Sequence, residues 1–272
     1  MSEFEYLRNI PFGQVVPGDS PVHRLDPRAR ILAFTFLLAA LFFTARPLGL
    51  GLGLLAVLGG LRLARLPLGY ALRSLLPPLP FLVFLALLQV FFNALPDTPP
   101  ALHLWIFTLT PLDLQAGGML LLRFAAAILA IIFAGQVLST SEMAHGLDRL
   151  FAPLEKIKIP VHDGVMVVIV AVRFLPFLAQ STERIAKAQA SRGAQWTKVG
   201  GGLFRRVRAQ LPLLVPIFVT SLRRAETMAL AMDARGYASR AHPTALVEMH
   251  FTPRDGLSVG LSLVLAAAVI LL

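Results

Sequence analysis

The chain of 272 residues contains no cysteine, which excludes a disulfide framework, a thiol nucleophile and any Cys-based metal site. That absence does not identify a compartment. Charge is scarce too, at 15% of residues against roughly 25% in an ordinary soluble domain. Acids are the rarer sign, with 15 Asp or Glu against 25 Lys or Arg and a net charge of +10. What fills the chain is apolar: 56% hydrophobic residues and a mean hydropathy of +0.72, the composition of a membrane protein. The basic residues avoid the long apolar runs instead of covering a soluble surface. The expected partner for that charge is therefore the anionic inner leaflet of a bilayer and not nucleic acid.

Several chemical signatures are missing as well. Residues 1–30 are polar, with Glu3, Glu5, Asp19 and Asp26 among four arginines. They lack the basic and apolar regions of a cleaved signal peptide, so insertion is expected to rely on the first membrane helix. No GxxxxGK[ST] phosphate loop occurs, so the chain is not expected to bind or hydrolyse nucleotide. The histidines His23, His103, His145, His162, His242 and His250 form no HExxH or comparable ligand spacing. Only His145 with Asp148, and His162 with Asp163, stand close, and both pairs fall in polar loops. No metal, cofactor or catalytic set is expected.

The apolar run from Ile31 to Leu61 is broken only at Arg46-Pro47. A bilayer core needs about 20 helical residues, so this run is long for one span and short for two. Two short spans with a turn at Ala45-Arg46-Pro47 are expected, because Pro47 suits the first turn of a helix. Gly49, Gly51, Gly53, Gly59 and Gly60 suit close helix packing there. A single tilted helix is the alternative. Asp26-Pro27 reads as a helix start, an N-cap followed by proline at N1.

A third span is expected from about Ser74 to Leu95, a fourth from about Leu114 to Leu138, and a fifth over Gly256 to Leu272. Residues 96–113 carry Asp97 and Asp113 without Lys or Arg, and place Trp105 and Phe107 where an interfacial aromatic belt sits. Residues 62–73 hold three arginines, and residues 139–253 hold fifteen Lys or Arg. The positive-inside rule then puts the N-terminus and both basic segments in the cytoplasm. Within the fourth span, Arg123 is an intramembrane charge, expected to face the bundle and bond a polar group such as Gln89 or Asn93, with a partner-protein contact as the alternative.

The long basic segment contains two apolar pieces, VMVVIVAV before Arg173 and LPLLVPIFVTSL before Arg223. Each is too short to cross and is bounded by charge, so both are expected to lie at, or dip into, the interface. From Phe218, the residues Leu222, Ala225, Ala229 and Met232 recur at spacings of four and three. They form a narrow amphipathic seam suited to crossing another helix. The clusters SLRRAE and FRRVRAQ read as solvated faces, anionic-lipid contacts or surfaces that steer an acidic partner.

The most informative feature is a repeat. In KAQASRGAQW and MALAMDARGY, Ser191-Arg192-Gly193 and Ala234-Arg235-Gly236 stand 43 residues apart, and the same shift aligns Glu183 with Glu226 and Ala186 with Ala229. Glycine after a helix adopts the left-handed conformation cheaply, and arginine there complements the helix dipole. Taken singly, each Arg-Gly is a well-capped helix end. Two at one offset raise a second possibility: arginines projecting from helix tips into pockets on partners.

The two Arg-Gly motifs, the opening PGDSPVHRLDPRAR (Pro17 to Arg30) and AVRFLPFL (Ala171 to Leu178) together resemble the transmembrane T component of energy-coupling factor (ECF) transporters, the EcfT/CbiQ family. LAMDARGY most resembles the shared, group II type. The first motif departs from the family's Ala-Arg-Gly in having Ser191. The apolar runs give an all-α membrane protein of about five spans, with residues 1–138 holding spans one to four, 139–254 a large cytoplasmic helical insert and 255–272 the fifth span. The resemblance implies that the insert forms the coupling helices. It implies a non-catalytic subunit of a prokaryotic cell-membrane importer. Arg192 and Arg235 would each dock into one of two cytoplasmic ABC ATPases, and the coupling helices would transmit ATPase motion to a substrate-binding S component for vitamin or micronutrient uptake. The alternatives are an independent channel or secondary carrier, which predicts charged residues over several spans, and an intramembrane enzyme, for which the spans hold no nucleophile and base.

Overall fold

A computed structural model describes residues 20–92, 102–104, 107–109, 111–158, 161–193, 203–237 and 251–272. Residues 17–19, Asn93, Trp105, the stretch 194–202, His242 and His250 lie outside the described residues. Helices carry the fold: α1 Pro27–Phe43, α2 Pro47–Leu63, α3 Leu68–Arg73, α4 Leu79–Phe92, α5 Pro111–Val137, α6 Thr140–Phe151, α7 Val161–Ser191, α8 Leu203–Ala234 and α9 Pro253–Leu271. A 3-10 turn, Ala152–Ile157, extends α6. The chain is an all-α membrane protein, with one small addition. Between α4 and α5, Leu102–Leu104 (β1) pairs antiparallel with Phe107–Leu109 (β2).

The break expected after Phe43 is present. Asp26 caps α1 by accepting from the backbone N–H of Arg28, Thr44 ends the helix in an extended conformation, and Pro47 opens α2. The chain forms two compact units, one of Gly13–Val161 with His250–Leu272, the other of Met1–Phe12 with His162–Met249.

In the first unit, Phe34, Leu37 and Leu41 of α1, Leu50, Val57 and Leu61 of α2, and Leu129, Phe133 and Val137 of α5 form the core. The Phe34 and Phe133 rings meet edge to face at 4.8 Å. Close approach depends on chosen glycines. A Cβ on Gly49 would overlap the Val269 carbonyl oxygen of α9, one on Gly53 would strike Leu41, and one on Gly60 would strike Phe133. Gly51 and Gly59 face open space. The expectation that all five serve packing is therefore corrected: a helix presents only one face, and Gly51 and Gly59 fall on the other.

Helix directions follow from the contacts at the ends. The backbone N–H of Asp26 meets Asp255 at the starts of α1 and α9, while Arg46, just past α1, donates to the Leu271 carbonyl oxygen at the end of α9. These two helices run parallel. Arg30 of α1 reaches Val137 at the end of α5, so α5 runs antiparallel to both.

In the second unit, VMVVIVAV does not stand as a short piece. It lies within α7, 31 residues long, which continues through Arg173 and Pro176. By length and composition α7 joins Pro111–Val137 and Pro253–Leu271 as a helix able to cross a membrane. The expectation that charge would bound it is corrected, because arginine is a good helix former and an exposed charge does not end a helix. LPLLVPIFVTSL likewise lies inside α8, 32 residues long with Pro212 and Pro216 in its interior.

Candidate functional site

The two Arg-Gly motifs adopt one geometry. Helix α7 ends at Ser191 and α8 at Ala234, so each arginine sits one residue past its helix, in the cap. The N–H of Arg192 donates to Gln189 O at 3.1 Å and that of Arg235 to Met232 O at 3.2 Å. Gly193 N–H then donates to Ala190 O at 2.9 Å, and Gly236 N–H to Asp233 O at 2.8 Å. Both glycines are left-handed, with φ of 85° and 72°, a conformation in which a Cβ crowds the carbonyl oxygen. Both arginine side chains are exposed. The departure at Ser191 is absorbed locally, because its hydroxyl donates to Ala188 O at 2.8 Å within its own helix.

The seam on α8 is largely exposed among the described residues. Phe218 is 69% and Leu222 52% exposed, Ala225 and Ala229 are exposed, and Met232 is half-buried. One contact between α7 and α8 comes instead from beside the seam. The Arg224 guanidinium lies 4.7 Å above the Phe177 ring, which itself meets Phe174 edge to face. Arg224, in the SLRRAE cluster, is thus stacked on an aromatic and not simply solvated, a cation–π contact of about 0.5–1 kcal/mol at an exposed site.

Arg123 faces the bundle as expected, but its partner differs. It donates from Nη2 to the carbonyl oxygen of Thr44 at 2.6 Å, where α1 has ended and its carbonyls lack helical partners. A broken helix offers a backbone acceptor that side-chain lists do not reveal. Among the described residues no group of His, Asp and Glu is arranged to hold a metal ion. His145 Nδ1 lies 2.7 Å from Ser141 O, a contact within its own helix.

Sequence reasoning missed a polar knot at the first turn of α1. Ser139 and Glu142 form a capping box at α6, and Thr252 and Asp255 form another at α9. Each acid has a second duty. Asp255 Oδ1 accepts the Asp26 N–H at 2.8 Å, and Glu142 Oε1 accepts from Arg30 Nη2 at 2.9 Å. Arg30 Nη1 also donates to Val137 O at 2.7 Å. Burial would raise the Glu142 carboxyl, but the Arg30 guanidinium and the Ser139 N–H and hydroxyl favour its ionised form, holding its pKa below the ordinary 4.5. The signal was legible as S-x-x-E and T-x-x-D spacings.

An apolar helical bundle, together with two long helices that end in the same exposed Arg-Gly cap, defines an all-α membrane protein. Comparison with known proteins makes this specific. The family model CbiQ, described as cobalt transport protein, matches residues 18–245. An energy-coupling factor transporter transmembrane protein EcfT from Brevibacillus brevis is 38% identical over 268 residues, covering 97% of this chain and 98% of its own. The proteins of that name from Thermanaerovibrio acidaminovorans and Bacillus subtilis are 38% and 33% identical over 269 and 264 residues, with 97% of this chain and 96% and 98% of theirs covered. The chain belongs to the CbiQ/EcfT family of transporter membrane proteins.

Proposed function

We propose that this chain is the transmembrane coupling subunit of an ECF-type importer in a prokaryotic cell membrane. Arg192 and Arg235 dock one each on two cytoplasmic ABC ATPases, and α7 and α8 carry ATPase closure to a membrane-embedded S component that binds a vitamin or micronutrient. The chain itself is non-catalytic. The observation that carries this reading is the duplicated cap, two exposed arginines presented by the same backbone geometry at the ends of two long helices. The largely exposed apolar seam from Phe218 to Met232 fits helices that slide against a partner.

The attachment of both ends of residues 139–254 to α1 supports reading that segment as lying on one side of the membrane. Ser139 and Thr252 both lie beside the first turn of α1, through Glu142 to Arg30 and Asp255 to Asp26. The segment between them therefore crosses the bilayer an even number of times. Helix α7 is apolar and long enough for a crossing, but α8 carries Arg223, Arg224, Glu226 and Asp233 and is not among the helices that qualify. A lone crossing would break that parity, which supports reading α7 as a helix at the inner face. With the positive-inside rule, that face and the N-terminus are cytoplasmic.

The test is reconstitution in liposomes with the ATPases and an S component. ATP-driven uptake that requires this chain supports the reading; substrate passage by this chain alone would establish the channel or carrier alternative.

A further inference from the structure

The knot on α1 has a property beyond capping. The segment proposed to couple begins with α6 and ends where α9 begins, and both ends are fixed to one helical turn, at residues 26 and 30. Arg30 spans the α5–α6 junction, gripping the last carbonyl of α5 with one nitrogen and the first-turn acid of α6 with the other. Its side chain is 3% exposed, and Asp255 is 2% exposed. Helix α6 is further seated against α1, because a Cβ on Gly146 would strike Ile31 and crowd Pro27. A buried charge disfavours any geometry that strips it of its partners; Arg30 and Asp255 are such charges, whereas the Glu142 side chain is 39% exposed and remains partly solvated. This chain places such a selective contact at both feet of its coupling segment.

We propose that the first turn of α1 is the fulcrum of the coupling segment, with Arg30 and Asp255 as positioning residues that hold α6 and α9 still while α7 and α8 move. The proposal rests on the coupling function above. A lever transmits motion only when its base does not yield. Loosening the base therefore dissipates ATPase motion without releasing the ATPases, because Arg192 and Arg235 lie elsewhere in the chain.

The absence of cysteine lets this chain be labelled, before assembly, without background thiols of its own. Cysteines introduced at the exposed positions Ser141 on α6 and Leu257 on α9 carry spin labels, and their separation is measured in the chain alone and in the assembled complex, with and without ATP. The expected result is a narrow distribution in wild type, unchanged by ATP, and a broad one in Arg30→Gln. Uptake per ATP hydrolysed should fall about tenfold in Arg30→Gln, the scale on which linked networks alter coupling, while both ATPases remain bound. Arg30→Lys, which keeps a charge but not the two-pronged grip, should lie between. Asp255→Asn, which retains one acceptor, provides a second variant should Arg30→Gln not fold. A wild-type separation that shifts with ATP, or folded variants with unchanged uptake per ATP, would overturn the proposal. The two readings fail separately. Wild-type complex without ATP-driven uptake sinks the importer reading, whereas the lone chain's distances judge the clamp with no partner present.

Discussion

Arg123 in the middle of α5 donates to the carbonyl oxygen of Thr44, 79 residues earlier in the chain, at the point where α1 stops. The charge is costly to insert, about 2.5–3.5 kcal/mol at a helix centre, yet it satisfies an acceptor that lipid cannot.

Arg123→Leu therefore acts in opposite directions on two steps. Membrane insertion of α5 becomes easier, while the folded bundle loses about 1–3 kcal/mol because the Thr44 carbonyl is left without its donor. Unfolding in detergent micelles by a graded denaturing detergent reads the second effect. Equal or greater stability of the variant would show that the bond contributes nothing.

Two glycines of one helix should behave oppositely. Gly49→Ala forces a methyl group into the backbone of α9 at Val269 and the Thr44 hydroxyl, and should cost about 1–3 kcal/mol as overpacking does. Gly51→Ala meets nothing and should gain up to about 1 kcal/mol from helix propensity. Thermal unfolding of the two variants side by side checks the ordering.

This contrast marks what the sequence made legible. Composition, the break at Pro47, the capped start at Asp26 and both Arg-Gly ends could be read directly, because each depends on chemistry within a few residues. Which face of α2 meets α9, and that Arg123 finds Thr44 instead of Gln89, depend on helix rotation and on chain segments far apart. The same holds for the knot: its two capping boxes are local, but their shared attachment to α1 appears only when residues 26, 142 and 255 come together. The length of α7 is not legible from its apolar run, because the helix continues through Arg173 and Pro176 where the run stops.

Acid should weaken the knot. The Glu142 pKa lies below its ordinary 4.5, so the carboxylate stabilises the fold above that value and loses its contribution as pH falls through the folded pKa. Its contribution is complete at neutral pH. Melting temperature in detergent should therefore drop on acidification below about pH 4.5 less steeply in Glu142→Gln than in wild type. Parallel acid limbs would indicate that the Arg30–Glu142 pair does not report on folding.

The left-handed caps carry their own cost when altered. Gly193→Ala and Gly236→Ala each place a Cβ in a conformation unfavourable by roughly 1–2 kcal/mol, so the last turns of α7 and α8 should fray. Hydrogen exchange at Arg192 and Arg235 amides should accelerate in the corresponding variant. Unchanged exchange would mean the glycines are replaceable.

As proposed anchors, Arg192 and Arg235 should hold the ATPases to the chain. The direct measurement is co-purification from detergent of the chain with the two ABC ATPases proposed as its partners, comparing wild type, Arg192→Glu, Arg235→Glu and the double variant, each checked for folding. Wild type should hold both ATPases, each single variant should bind more weakly, and the double variant should lose them. A folded double variant that retains both ATPases and couples hydrolysis to uptake normally would contradict anchoring and leave the arginines as helix caps.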